Sequence, residues 1–195
     1  MNTSDNEYKK HDGIPNEGSL TFKNGFYVDV TVVSVDMRGS KKLAEKHTPP
    51  VLAKIYRSYI SEVIAVMNGN STITDIFIEG DGVWAVFNTI TDEHVQSVFS
   101  TTSKISSLIN ALNKKLLKRK YSEIKVGIGI EVVWIGKIVG ESAKLSGYGN
   151  RELYDKQTMV SGRIYKMLNE NQQSLLKWNA NRRCYHGNSI WKSYE

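Results

Sequence analysis

The sequence predicts one α/β (α+β) domain of the split-βαβ, ferredoxin-like type. It would have a central, mostly antiparallel sheet, helices on one face and a C-terminal β-hairpin. Two observations predict this fold. Strand-like runs rich in β-branched and aromatic residues alternate with long amphipathic patterns of helical period. Two of those runs, 72–79 and 82–88, flank a Gly-Asp turn and therefore indicate a hairpin between the two long helices.

The first strand is predicted over Phe26 to Asp36, where the centre of the run is apolar and β-branched. Pro49 and Pro50 open the first long helix, because proline is tolerated in a first turn, and apolar residues then recur at helical spacing. A second amphipathic helix begins near Asp92. The remaining predictions are a strand over 123–136, a polar loop over 141–157, a short helix over 158–168 and a closing hairpin in the tail, 175–194.

Composition limits what the chain can be. Hydrophobic residues make up 40% and charged residues 24% of the 195 residues, as in ordinary globular domains. The single cysteine, Cys184, excludes a disulfide within one chain and favours a reducing, cytoplasmic location. No apolar run reaches the ~20 residues of a membrane-spanning helix, and the net charge of +6 favours anionic partners. We expect residues 1–25 to be a polar, poorly ordered lead-in and 26–195 to form the domain.

Two aspartates stand where predicted strands end. Asp36 closes the first strand and Asp81 lies at the tip of the hairpin, so neighbouring strands would bring the two carboxylates together. Two carboxylates with backbone carbonyls suit Mg²⁺ or Mn²⁺, particularly when phosphates complete the shell. Arg38, Gly39 and Ser40 follow at a possible helix start, whose backbone N–H groups would face an anion. The competing interpretation is a helix-capping aspartate and a turn aspartate, both of which are common.

Four blocks occur in order along residues 26–168, namely "VTVVSVDMRGSKKL", "FIEGDGVWAVF", "IKVGIGIEVVWIGKIVG" and "TMVSGRIYKML". Together they resemble the motifs of class III nucleotidyl cyclases, which are a strand ending in Asp, a Gly-Asp hairpin, a glycine-rich strand with a Gly-x-x-x-Gly loop, and a helix bearing an arginine. Gly-Asp-Gly alone would be weak evidence, whereas four ordered blocks at similar spacing are more specific.

The resemblance implies the class III cyclase fold and a homodimer with composite sites at the subunit interface. It implies two divalent metal ions, Mn²⁺ or Mg²⁺, held by Asp36 and Asp81 with help from the Met37 carbonyl. The ribose 3′-oxygen of a nucleoside triphosphate would attack the α-phosphorus, and pyrophosphate would leave. Arg163 matches the arginine that stabilises the transition state from the partner subunit.

Departures from the family pattern concern the base. Adenylate cyclases usually have a purine-binding lysine where this chain has Phe77, and a phenylalanine can only pack or stack. The purine-binding acid would correspond to Asp155 or to Glu152, and the spacing leaves both open. Met159 replaces an asparagine, and the segment before Arg163 is several residues longer than usual. The triphosphate chemistry is therefore predicted to be kept and the base pocket, with Phe77 and Asp155, to be altered.

This pattern resembles the Pycsar pyrimidine cyclases of bacterial antiphage defence. The resemblance implies a uridylate or cytidylate cyclase, UTP before CTP, whose cyclic nucleotide acts on a separate effector protein, with no nucleic-acid partner and no stable membrane association. Two alternatives stay open at this point. One is an adenylate or guanylate cyclase with an unusual base pocket, and the other is an inactive cyclase-fold module for dimerisation or nucleotide sensing.

Overall fold

A seven-stranded sheet forms the centre of the fold. The computed structural model describes residues 8–19, 24–133 and 138–190. In chain order its elements are β1 (Tyr8–Lys10), a 3₁₀ turn (Glu17–Ser19), β2 (Gly25–Tyr27), β3 (Val30–Arg38), α1 (Ser40–Lys46), α2 (Pro49–Asn68), β4 (Ile73–Glu79), β5 (Gly82–Asn88), α3 (Asp92–Lys118), β6 (Lys125–Val133), α4 (Ile138–Tyr148), β7 (Thr158–Val160), α5 (Gly162–Met167), α6 (Glu170–Ser174), β8 (Lys177–Asn179) and β9 (Cys184–Gly187).

The strand order of this sheet is β4-β5-β3-β6-β7-β9-β8. Strand β3 is antiparallel to both of its neighbours, β5 and β6, and the hairpins β4–β5 and β8–β9 are antiparallel as well. Only the pairing of β6 with β7 is parallel among the described strands of this sheet. The predicted fold class, with its mostly antiparallel sheet and closing C-terminal hairpin, is confirmed.

The main core lies between one face of the sheet and the helices α2 and α3. Val33 and Val35 of β3 are fully buried there against Tyr59 and Val63 of α2. Helix α2 begins at Pro49, as predicted, and α3 begins at Asp92 with the Thr91 hydroxyl accepting a hydrogen bond from the His94 amide at 3.4 Å. The strand and helices that form this core are therefore the ones that the hydrophobic pattern of the sequence predicted.

Helix α4 corrects the predicted loop over 141–157. It packs on the opposite face of the sheet, because Gly127 and Gly129 of β6 leave room there for a helix backbone. The Ser146 hydroxyl of α4 donates a hydrogen bond to the Ser34 hydroxyl of β3 at 3.3 Å. The expectation of helices on one face therefore holds for α2, α3 and α5 but not for α4.

The helix predicted over 158–168 is a strand followed by a shorter helix. Thr158 pairs with Ile128 in the parallel β6–β7 ladder, which suits the β-branched residues of β7. Ser161 then caps α5, accepting a hydrogen bond from the Ile164 amide at 3.3 Å. Helix α4 is thus the crossover that a parallel strand pair requires.

The lead-in is partly structured, which corrects the expectation of poor order. Strand β1 pairs in parallel with β2, so the predicted boundary after residue 25 falls inside a paired strand. The Ile14 amide also donates to the Asn88 side-chain oxygen at 3.2 Å, which ties this segment to β5. The division into 1–25 and 26–195 stays a prediction. Residues 1–7 and 20–23 lie outside the described part of the chain, as do residues 134–137 of the predicted Gly-x-x-x-Gly loop.

Candidate functional site

Asp36 and Asp81 come together at one end of β3. In the antiparallel ladder Asp36 pairs with Gly82, so the hairpin turn places Asp81 directly beside it. Gly80 makes that turn possible because its φ of 62° lies in the left-handed region. The predicted convergence of two strand-end aspartates is therefore present in the fold, and Glu79 lies just outside it at the exposed end of β4.

The buried hydroxyl of Tyr59 interacts electrostatically with the carboxylates of both Asp36 and Asp81. It lies beneath the strand and donates a long hydrogen bond to the Val35 carbonyl at 3.4 Å. Burial raises the pKa of this hydroxyl, and the negative charges of Asp36 and Asp81 raise it further. Two carboxylates that act on one hydroxyl share the same small region of the protein.

The Arg38 guanidinium lies across this region. It donates to the Asp36 carboxylate, to the Ser146 carbonyl, and through Nε to the Gly149 carbonyl at 2.7 Å. Arg38 therefore links the carboxylate to the C-terminal end of α4, where cations are favourable. Its role as a phosphate ligand stays a prediction, and in this structure all three contacts are with protein groups.

The predicted helix start after Asp36 is also present. Gly39 has a φ of 71° and precedes α1, which begins at Ser40. A cavity of about 460 Å³, the cationic cavity, opens beside it. Four cations line this cavity and only one carboxylate, Glu123, so it suits an anion. The cations are Arg38, Lys42, Lys46 and Lys125.

A second cavity of about 510 Å³, the amide cavity, lies on the other side of the first residues of β6. Lys125 and Ile124 line both cavities, which are therefore neighbours. The amide cavity combines apolar side chains with carboxamides and a few charged groups. Its carboxamides are Asn110, Asn113, Asn150 and Gln157.

Both candidates for the base-binding acid, Glu152 and Asp155, line the amide cavity. The Asp155 side chain is fully buried and receives hydrogen bonds from Arg182, with the closest N–O distance 2.8 Å. Asn179 and the Glu152 amide also donate to it, at 3.2 and 3.1 Å. Burial raises the pKa of Asp155, but the bonds from Arg182 and the Glu152 amide outweigh it and leave the pKa below its ordinary value.

Phe77 lies far along the sheet from Asp155. It is on β4, at the edge opposite β8, and its ring stacks on Trp84 with centroids 4.0 Å apart. The phenylalanine side chain is 43% exposed. The structure therefore does not bring together the two residues predicted for one base pocket, Phe77 and Asp155, within one chain.

Arg163 is likewise separated from the aspartate pair. Its guanidinium is half-exposed and forms an ion pair with Asp29 at 2.9 Å, just before the first residue of β3. Asp36 lies at the other end of that strand, roughly 20 Å away at the usual rise per residue. One chain cannot use Arg163 and Asp36 on the same phosphate.

The donor set fits a hard divalent cation only in part. Asp36 and Asp81 supply two carboxylates, and the Met37 side chain is buried in the core, so only its backbone carbonyl can be a ligand. No cluster of three or more His, Cys, Asp or Glu side chains suited to a metal occurs within the described ranges. Water and substrate phosphates would have to complete the shell, as is usual for Mg²⁺.

The chain is similar to two curated proteins named uridylate cyclase. It is 30% identical to the protein from Treponema porcinum over 181 residues, which cover 84% of this chain and 63% of that protein. It is 29% identical to the protein from Gulbenkiania mobilis over 184 residues, which cover 82% of this chain and 71% of that protein. This chain thus spans under two thirds of the first relative's length. No family model matches the sequence.

Its fold is similar to that of the adenylyl cyclase CyaB from P. aeruginosa. The TM-score is 0.64 at 14% identity, over 77% of this chain and 83% of that chain. The chain has the class III nucleotidyl cyclase fold. The resemblance to class III cyclases in fold, and to uridylate cyclases in sequence, is therefore confirmed. No helix in the described part of this class III cyclase fold is long and apolar enough to cross a membrane.

The sequence did not indicate two features of the site. The first is the contact of Arg38 with α4, whose partners lie more than a hundred residues further along the chain. The second is the place of Gln157 in the lining of the amide cavity. The sequence pointed to the segment around Asp155 but did not single out Gln157.

Proposed function

We propose that this chain is a pyrimidine nucleotide cyclase that converts UTP, or secondarily CTP, to its 3′,5′-cyclic monophosphate and pyrophosphate. The observation that carries the proposal is the pair Asp36 and Asp81, side by side at the end of β3 and next to a cationic cavity. That arrangement supports the use of a triphosphate. The names of the two related proteins support uridine as the base.

The residues of the site divide the work of an in-line displacement. Asp36 and Asp81 would hold two divalent ions, Mn²⁺ or Mg²⁺, with the Met37 carbonyl as a further ligand. When bound, these ions would lower the pKa of the ribose 3′-hydroxyl and neutralise phosphate charge. Lys42, Lys46 and Lys125 would attract the phosphate oxygens. The 3′-oxygen would bond to the α-phosphorus, the bond to pyrophosphate would break, and the hydroxyl proton would pass to water.

The proposal extends to assembly. A homodimer would let Arg163 of one subunit reach the α-phosphate bound at Asp36 of the other, which one chain alone cannot do. By resemblance, the product would be a cytoplasmic second messenger of antiphage defence that acts on a separate effector protein.

The decisive experiment is a cyclase assay of purified protein with Mn²⁺ and each of the four nucleoside triphosphates, with the product identified by mass. We expect cyclic UMP as the main product. Asp36→Asn and Asp81→Asn should each lower the rate about 100-fold or more, because each removes one of two charged ligands.

Asp75→Asn is the matched control, because Asp75 is an exposed carboxylate on the same hairpin and lies away from the turn. It should retain activity, and all three variants should keep the thermal unfolding midpoint. If ATP or GTP gives the main cyclic product, the base assignment is wrong. If all four triphosphates stay intact, the chain is not a cyclase in this form.

A further inference from the structure

The amide cavity contains carboxamides of two kinds. Asn113 is already committed, since its side chain donates to the Ile124 carbonyl and accepts from the Ile124 amide, both at 2.8 Å. Asn150 donates to the Val126 carbonyl at 2.9 Å. These two side chains hold the start of β6 in place, and they leave little hydrogen-bonding capacity for a ligand.

Gln157 differs from these two residues, because its main chain is hydrogen-bonded on both sides but its side-chain nitrogen has no hydrogen-bond partner within the described part of the chain. Its amide donates to the Asn188 side-chain oxygen, and its carbonyl accepts from the Ile128 amide, each at 2.9 Å. Its side-chain nitrogen is buried without a hydrogen-bond partner among the described residues. A buried donor left unpaired costs about 1–3 kcal/mol, so this position favours a ligand that brings an acceptor.

The surroundings of Gln157 restrict the chemistry of that ligand. The apolar residues Ile109, Val126 and Leu153 line the cavity, and of these three Leu153 has an exposed side chain that a flat ring could contact. Lys125, at the border with the cationic cavity, places a cation where a phosphate attached to that ring would lie. The Asp155 carboxylate forms a buried ion pair with Arg182, so we assign it to holding the loop before β7 and not to binding the ligand.

We propose that the amide cavity takes the pyrimidine base of the nucleotide and that Gln157 recognises the base edge. A carboxamide can donate to one atom of a base and accept from its neighbour, and uracil offers an adjacent carbonyl and N–H at its edge. The assignment rests on the proposed function. It places base recognition beside β7 and not at the stacked pair Phe77 and Trp84.

Photo-crosslinking tests the location without relying on turnover. 4-Thiouridine 5′-triphosphate is irradiated with the full chain, and the modified peptide is identified by mass spectrometry. We expect crosslinks in 109–113 or 150–157 that excess UTP suppresses. Crosslinks that map to β4 or β5, or no crosslink that UTP suppresses, would overturn the proposal.

Substitution tests the role of the residue. Gln157→Leu should raise KM for UTP and CTP at least tenfold with a smaller change in kcat, and should lower their preference over ATP by a similar factor. Gln157→Asn, which keeps a shorter carboxamide, should recover part of this loss. Lys156→Ala is the control, because Lys156 is adjacent and exposed but does not line the cavity.

The two proposals fail in distinguishable ways. Crosslinks in the amide cavity without any cyclic product would remove the catalytic assignment and leave base binding at Gln157 intact. Cyclic UMP formation with an unchanged KM in Gln157→Leu would keep the activity and place the base elsewhere. Circular dichroism on each variant establishes that it is folded.

Discussion

At the scale of single residues, the buried ion pair Asp155–Arg182 anchors the loop that carries Gln157 to the β8–β9 hairpin. Arg182 binds the carboxylate through two nitrogens, and its guanidinium also lies 4.7 Å from the centre of the Tyr148 ring. Tyr148 is the last residue of α4 and Arg182 lies in the β8–β9 hairpin. One ion pair thus joins three segments around the amide cavity.

Breaking this pair should change both stability and its dependence on pH. The pKa of Asp155 is lower in the folded chain than in the unfolded chain, where it is about 3.9. Its stabilising effect is therefore complete above about pH 4 and is lost as the pH falls through the folded-state value.

Arg182→Met leaves the carboxylate buried without its cation and should cost about 3 kcal/mol at pH 7. The loss of Arg182 removes the interaction that lowers the pKa of Asp155 most, while burial continues to raise it, so the deficit relative to the original chain should shrink as the pH falls and the carboxyl takes up a proton. Urea unfolding at pH 5, 6 and 7 measures it. A deficit that is constant with pH would show that Asp155 is not the group responsible.

Individual site residues differed in how far the sequence revealed them. Asp36 and Asp81 were predictable because a strand end and a glycine turn are local patterns, and the β3–β5 register then brings them together. The three acceptors of Arg38 were not, since two of them belong to a helix and a loop packed there by tertiary structure. Local sequence cannot specify which distant backbone carbonyl an arginine will reach.

At the scale of elements, α4 lies on β6 at backbone contact distance. A methyl group at Gly129 would meet the Ser142 carbonyl, the Ser146 amide and the side chain of Leu145. Gly127 is similarly close to the Ser146 and Gly149 carbonyls. The close approach needs glycine in the strand and small residues in the helix.

Gly129→Ala should therefore destabilise the fold by about 1–3 kcal/mol, since an added methyl in a filled space forces the backbone to move. Gly147→Ala is the matched control, because a methyl there meets no atom within 4 Å and alanine favours a helix. It should be neutral or stabilising by up to about 1 kcal/mol. Chemical denaturation of both variants measures the difference, and equal stabilities would contradict this packing.

The same packing explains why the sequence pattern missed α4. Its residues carry three glycines and two serines over 138–149, which favour a loop by propensity, and they show no wide apolar stripe. The helix is stabilised by tertiary packing, because Gly127 and Gly129 of β6 leave room for its backbone. Helices α2 and α3, whose apolar stripes are long, were predicted with the correct first residues.

At the scale of the whole molecule, the two ends of β3 carry different parts of the proposed chemistry. Asp36 and Asp81 lie at one end, and Arg163, paired with Asp29, lies at the other. In a dimer with two-fold symmetry and antiparallel sheets, the Asp36 end of β3 in one subunit would lie next to the Arg163 end of β3 in the other. The proposed homodimer would then contain two composite sites.

Mixing two inactive variants tests this arrangement. Asp36→Ala and Arg163→Ala should each be inactive alone, while a refolded equimolar mixture should recover up to about a quarter of the original rate. The recovery arises because half of the dimers are mixed and each mixed dimer has one site free of both substitutions. Sedimentation measures the dimer directly. If mixing restores no activity although mixed dimers form, Arg163 does not act across the interface.

The position of β3 at the centre of the sheet also bears on how the chain folds. Both of its partners lie far along the chain: β5 begins at Gly82, after α1, α2 and β4, and β6 begins only at Lys125, after both long helices. Such non-local pairing is slow because a long loop must close before any contact repays the lost entropy. During synthesis β3 would therefore stay an open edge until most of the chain has emerged, and this would be the period of greatest risk of aggregation.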